Sequence, residues 1–186
     1  MSSPSDVLGA LGVVAGAPPQ TRLVTPYQDV TAAFLAFLGL AHHSIHSMIY
    51  SATFVPYFDA LIAAKHAGIE VRLIFDHTQA AGRAERAQIT RLITAGFVDG
   101  VDFLIGTSPR AHQICHIKAT WVDGIHVEDG SLNYSPSGLQ QVQSVAFTEW
   151  PEWAAYLERV FGLLWHWILQ HERAYQTFAP PTPASP

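Results

Sequence analysis

The sequence predicts an α/β fold in which a mixed β-sheet is flanked by helices on both faces. Stretches with apolar residues at helical spacing alternate with short, almost continuous apolar runs, the pattern of strands buried on both sides. Glycines close two of the helical stretches, and an Asp-Gly pair separates two apolar runs late in the chain, where it predicts an antiparallel hairpin.

Taken in order, DVTAAFLAFLGLAHH (29–43) has helical periodicity and SIHSMIYSA (44–52) reads as a strand. VPYFDALIAAKHAG (55–68) is a helix ended by Gly68, IEVRLIFD (69–76) a strand, and GRAERAQITRLITAG (82–96) a polar-faced helix ended by Gly96. VDFLIG (101–106) reads as a further strand and QICHIKATWV (113–122) as a longer one that stops at Asp123-Gly124. IHVED (125–129) returns antiparallel to it. A polar loop, GSLNYSPSG (130–138), leads to the strand QVQSVAF (141–147) and then to a long helix over 151–173, with Pro151 suited to its first turn.

With 186 residues, 49% of them hydrophobic and 13% charged, the chain is sized for one domain with a substantial core. Pro- and Ser-rich ends place a flexible arm at 1–21, the folded domain at 22–175 and a disordered tail at 176–186. The formal net charge of -5 gives no global attraction to phosphates, so a nucleic-acid partner must be held by local basic groups. The first basic residue is Arg22, which leaves the apolar segment before it without the charged region of a secretory signal. No apolar run reaches the ~18 residues of a membrane span, so a cytoplasmic protein without a membrane partner is expected. Cys115, the single cysteine, reads as a buried, inert thiol.

The ten histidines include His42, His43 and His46 at the end of the first predicted helix. They have no Cys or carboxylate at ligand spacing, so they read as surface or capping residues, and no metal or other cofactor is expected. The four tryptophans of the C-terminal helix, Trp150, Trp153, Trp165 and Trp167, read as packing residues.

Chemistry concentrates in HIKATWVDGIHVEDGSLNYS (116–135). Side chains two apart on a strand share a face, so His116 and Lys118 project together. Asp123 falls in the hairpin turn, where an Asp before Gly has a sufficient structural explanation. The spacing His-x-Lys-x-x-x-x-Asp, followed by Gly-Ser-x-Asn-x-Ser, resembles the HKD signature of the phospholipase D superfamily, carried by His116, Lys118, Asp123, Gly130, Ser131, Asn133 and Ser135. Upstream, SIHSMIYSATF and ALIAAKHAGIEVRLIFD are similar to the first strands and intervening helix of its small bacterial nucleases.

The resemblance implies a phospholipase D-like fold with one motif per chain and an active site shared by two subunits of a homodimer. It implies metal-independent hydrolysis of nucleic-acid phosphodiesters through a phosphohistidine. His116 is then the nucleophile, Lys118 the cation on the phosphate and Asn133 an amide donor. Imidazole suits attack and proton transfer because its unperturbed pKa lies near neutrality. Ser131 is a further candidate donor. Small relatives place a carboxylate after the loop to orient the histidine, whereas Gln143 stands here, with Glu128 and Glu149 as possible substitutes; a neutral amide stabilises an imidazolium less. Arg83, Arg110 and His112 are the candidates for contacts to the substrate backbone, with Arg86 and Arg91 on the same predicted helix as Arg83. Two alternatives stand beside this reading: a lipid phosphodiesterase, which needs an apolar groove, and a weakly active or inactive dimer that binds nucleic acid.

Overall fold

The computed structural model describes residues 18–107 and 114–172. Among them, one sheet is built from β1 (Thr21–Thr25), β2 (Ser44–Ile49), β3 (Glu70–Asp76), β4 (Phe103–Gly106), β5 (Lys118–Val122), β6 (His126–Gly130) and β7 (Gln143–Glu149), in the order β1-β7-β6-β5-β2-β3-β4. β2, β3 and β4 run parallel, and β5 joins β2 antiparallel, with Ile49 opposite Lys118. β6, β7 and β1 continue the antiparallel half.

The helices divide between the two faces. α1 (Val30–Leu38), α2 (Val55–His66) and α4 (Arg83–Thr94) send Phe34, Tyr57, Leu61, Ile89 and Leu92 into one cluster with Ile45, Leu73 and Phe75. α6 (Pro151–His171) covers the other face, burying Leu157, Phe161, Leu164 and Ile168 against Met48, Ile74, Leu104 and Trp121. Two short helices, α3 (His77–Ala80) and α5 (Pro136–Gln140), are capped by the side chains of Asp76 and Ser135. The fold is therefore the mixed, two-faced α/β sheet that the sequence predicts.

Local details differ from the sequence reading, each for a visible reason. The first helix stops at Leu38 with Gly39 at its C-cap, because the backbone N–H groups of His42, His43 and Ser44 all turn to the carboxylate of Asp123 at 2.8–2.9 Å. His42 and His43 therefore lie in a loop. His46 lies inside β2, 7% exposed, rather than at a helix end. Its two ring nitrogens meet Glu158 at 2.7 Å and Glu70 at 2.8 Å, and Trp121 Nε1 donates to the same Glu158 oxygen. This contact fastens α6 to the sheet.

The strand expected over 113–122 begins only at Lys118, since the N–H of Cys115 is taken by Asp76 Oδ2 instead of a ladder partner. Cys115 is buried, and burial pushes its thiol up to about 12, which keeps it protonated. The hairpin loop holds three residues, because Val122 pairs with His126. Positive φ at Asp123 (53°) and Gly124 (67°) makes its reversal. β1, α3 and α5 were not expected. β1 begins at the last residue of the expected N-terminal arm; residues 1–17 of that arm and 176–186 of the tail lie outside the described residues.

Partial burial pushes the Asp123 carboxyl up, but the three backbone donors outweigh it and hold the group below the ordinary carboxylate range. A depressed folded value stabilises the fold above that range, and the contribution is lost as pH falls through the folded value. Asp123→Ala is expected to cost about 1–2 kcal/mol at neutral pH, because water can replace the carboxylate at the exposed His42 and His43 N–H groups and only that of Ser44 is partly buried. Denaturant melts should show the gap between variant and wild type closing as pH drops below about 4.

Candidate active site

The carboxyl ends of β2 and β3 meet the start of β5 at one edge of the parallel half, the side of an open α/β sheet where ligands collect. His116 lies immediately before β5 and is exposed, while Lys118 opens the strand and is 6% exposed. Lys118 Nζ lies 3.0 Å from His116 Nδ1 and donates to the His116 carbonyl at 2.8 Å. An ammonium can only donate, so His116 Nδ1 is the acceptor of this bond and the proton of the neutral ring sits on Nε2. Burial pulls the Lys118 ammonium below its usual range, and the nearby Asp76 carboxylate works against that shift.

Tyr50, the first residue beyond β2, completes the cluster. Its ring centroid lies 4.4 Å from that of His116, and Lys118 Nζ sits 4.9 Å from the same ring. Its hydroxyl accepts from Gln79 Nε2 at 2.9 Å. Asp76 binds this wall together. It is fully buried; Oδ1 accepts from Thr78 and Gln79, and Oδ2 takes the Cys115 N–H at 2.7 Å, one residue before His116.

The loop after β6 holds the second half of the motif. A Cβ at Gly130 would collide with the Ser144 carbonyl oxygen, so only glycine lets β6 and β7 approach this closely. Ser131 extends that ladder: its N–H donates to the Ser144 carbonyl and its Oγ accepts the Ser144 N–H at 3.0 Å. Asn133 is half-buried, and its Oδ1, shielded from solvent, has no hydrogen-bond partner among the described residues. An unpartnered buried amide oxygen costs ~1–3 kcal/mol.

The structure thus brings His116 and Lys118 into contact and sets Asn133 in the motif's loop, held by Tyr134 against Ser51, Thr53 and Phe54 beyond β2. Asp123 lies at the opposite end of β5. Gln143 donates to Gln141 Oε1 and makes no contact with His116. Neither carboxylate substitute serves: Glu149 pairs with His126 at the hairpin end, and Glu128 is fully buried and bonded by the Tyr134 hydroxyl. Burial pushes the Glu128 carboxyl well above the carboxylate range. Arg83 is exposed at the first residue of α4, whose Glu85 reaches the Ala52 N–H beside the site, while Arg91 is held by Asp59 on α2. Arg110 and His112 lie outside the described residues. Tyr50, Asp76, Gln79 and Glu85 were not singled out in the sequence; their one signal is position at the carboxyl ends of parallel strands.

A groove of about 520 Å³ opens beside the pair, lined by His116, Ile117, Lys118, Trp153, Tyr156 and Leu157. The Trp153 indole donates to Asp129 Oδ2 and stacks on Tyr156. Among the described residues no group of three or more His, Cys, Asp or Glu is placed to hold a metal, and no helix is long and apolar enough to cross a membrane.

With this geometry in hand, comparison with known proteins is informative. The family model described as cardiolipin synthase, PLD-like domain, matches residues 34–165. Among solved structures, the chain is similar to Nuc of Salmonella typhimurium, a phospholipase D family member, at 26% identity and a TM-score of 0.65, covering 78% of this chain and 95% of that one. NucT of Helicobacter pylori shares the fold at 18% identity and a TM-score of 0.65, covering 82% and 96% of the two chains. A phosphatidylserine synthase of Haemophilus influenzae shares it at 10% identity and a TM-score of 0.55, over 78% of this chain and 38% of that one. No protein of curated function matches the sequence significantly.

Glu85, 2% exposed, yields a test of the site's electrostatics. Burial pushes its carboxyl up from 4.5 to about 8, and the Ala52 N–H counters only part of that. A raised folded value makes stability greatest below the ordinary carboxylate range and erodes it as pH climbs towards about 8. Glu85→Gln keeps an acceptor for Ala52, so its unfolding free energy should stay flat, relative to wild type, across the window from pH 4.5 to about 8.

Proposed function

The chain belongs to the phospholipase D-like family, and from that premise we propose that it is a metal-independent phosphodiesterase, a nuclease cleaving DNA or RNA in a site shared by two copies of the chain. The observation that carries the reading is the His116–Lys118 pair, an exposed imidazole within 3.0 Å of a buried ammonium. The similarity to Nuc at 26% identity supports nucleic acid as the substrate.

In this mechanism His116 attacks phosphorus through Nε2, the bond to the leaving oxygen breaks, and His116 of the partner subunit protonates that oxygen. Water then attacks the phosphohistidine, giving its proton to the same partner imidazole and releasing His116. Lys118 and the Asn133 amide face the oxygens on which transition-state charge accumulates. Phosphate also competes for the ammonium that otherwise donates to Nδ1. Once Lys118 turns to the substrate, Nδ1 is free to carry the ring proton and Nε2 to attack. Arg83 contacts the substrate backbone, as do Arg110 and His112.

The groove favours one other reading. Its apolar wall beside His116 suits the acyl part of a lipid phosphodiester. Hydrolysis of phospholipid vesicles without nuclease activity would select it. Salt-sensitive nucleic-acid binding without turnover, unaffected by His116→Ala, would identify a binding dimer instead.

The test is cleavage of labelled single- and double-stranded DNA and RNA in excess chelator. His116→Ala should lose at least about 10³-fold in turnover while melting like the wild type. A divalent-metal requirement would contradict the mechanism. Acid quenching in mid-reaction should trap an acid-labile, base-stable phosphoryl group on His116, and an adduct on Ser131 or Cys115 would overturn the assignment.

A further inference from the structure

Among the described residues the His116 ring hydrogen-bonds Lys118 and no carboxylate. An exposed imidazole on a loop preceding a strand turns about two side-chain bonds unless something holds it, and attack on phosphorus requires one orientation. Lys118 cannot hold the ring through the reaction, because the same ammonium is drawn to the phosphate.

Among the described residues the ring contact of His116 is with Tyr50. Its ring lies against the imidazole at a centroid distance of 4.4 Å and a tilt of 52°, and its backbone N–H donates to the Ile117 carbonyl at 2.9 Å, next to His116 in the chain. The phenol is itself fixed, since Gln79 Nε2 donates to its hydroxyl. Gln79 belongs to α3, whose first turn is capped by Asp76, and Asp76 also anchors Cys115. The ring that touches His116 and the backbone that carries His116 are therefore tied to the same buried carboxylate. The Tyr50 face also lies within cation–π range of Lys118, which gives the ammonium a resting place between substrates.

We propose that Tyr50, clamped by Gln79, is a positioning residue that holds the His116 imidazole for attack in place of an orienting carboxylate. The proposal rests on His116 being the nucleophile. Tyr50 acts through His116 and touches no reacting atom, so its loss should lower kcat and leave KM within about twofold.

The experiment compares wild type, His116→Ala, Tyr50→Leu, Tyr50→Phe, Gln79→Ala and the Tyr50→Phe/Gln79→Ala pair on a phosphodiester that the wild type cleaves. Tyr50→Leu should lose about 30- to 100-fold in kcat. Tyr50→Phe, which keeps the ring face, should recover most of that loss. Tyr50→Phe and Gln79→Ala should each cost a similar few-fold, and the double variant no more than either alone, because both break one bond. The His116 ring resonances supply a readout that needs no turnover: narrow in wild type and Tyr50→Phe, exchange-broadened in Tyr50→Leu. A Tyr50→Leu protein with wild-type kcat, or a melting-temperature drop with unchanged His116 resonances, would reduce Tyr50 to a packing residue and overturn the proposal. Wild-type turnover in His116→Ala would instead remove the nucleophile assignment itself, so the two failures are distinguishable.

Discussion

The site hangs on a single buried carboxylate. Asp76 closes β3 with no exposed surface, and a charge in that position persists only if its lone pairs are satisfied. Its donors come from two directions. Thr78 and Gln79 turn the chain into α3, and Cys115 arrives from the far side of an excursion of 39 residues. One group thus decides where the parallel half of the sheet stops and where the chain bearing His116 enters the antiparallel half. It also explains why the ladder begins two residues after His116: a backbone N–H given to Asp76 is lost to strand pairing.

The place of the site follows from topology. β2 is the junction of the sheet, parallel to β3 and antiparallel to β5, so the carboxyl end of one strand abuts the amino end of the other. Residues just beyond β2 and just before β5 are thereby neighbours, and Tyr50 and His116 occupy those positions. The second half of the motif reaches the same edge through Tyr134, which bridges to Ala52 and receives Thr53 and Phe54 on its carbonyl. Asp123 works at the other end of β5, where it organises the entry to β2. The Asp of the motif is a folding residue on this geometry, set at the far end of the strand from the His116–Lys118 pair.

What the sequence made legible was what depends on period and local backbone. Apolar spacing placed β2 to β7 and the four long helices; Gly68, Gly96 and Asp123-Gly124 marked where the backbone turns through positive φ. The adjacency of His116 and Lys118 was readable because strand residues two apart share a face. The misses share a different physics. α1 ends early because a carboxylate eighty residues away takes the next N–H groups, and His46 is a buried anchor because Glu70 and Glu158 come from two other elements. Tyr50 and Gln79 matter through contacts that no periodicity encodes. β1 was missed because its burial depends on β7, which the chain reaches more than a hundred residues later.

Electrostatics bears on how an acidic chain can approach a phosphate. The formal charge of -5 counts every carboxylate as ionised. Complete burial pushes Glu128 well above the carboxylate range, and burial raises Glu85 to about 8. With both carboxyls shifted upwards, the negative background near Lys118 at neutral pH is weaker than composition alone implies. Each buried acid also pairs with groups near the motif's loop: Glu85 with the backbone at Ala52, and Glu128 with the hydroxyl of Tyr134, next to Asn133 in the chain.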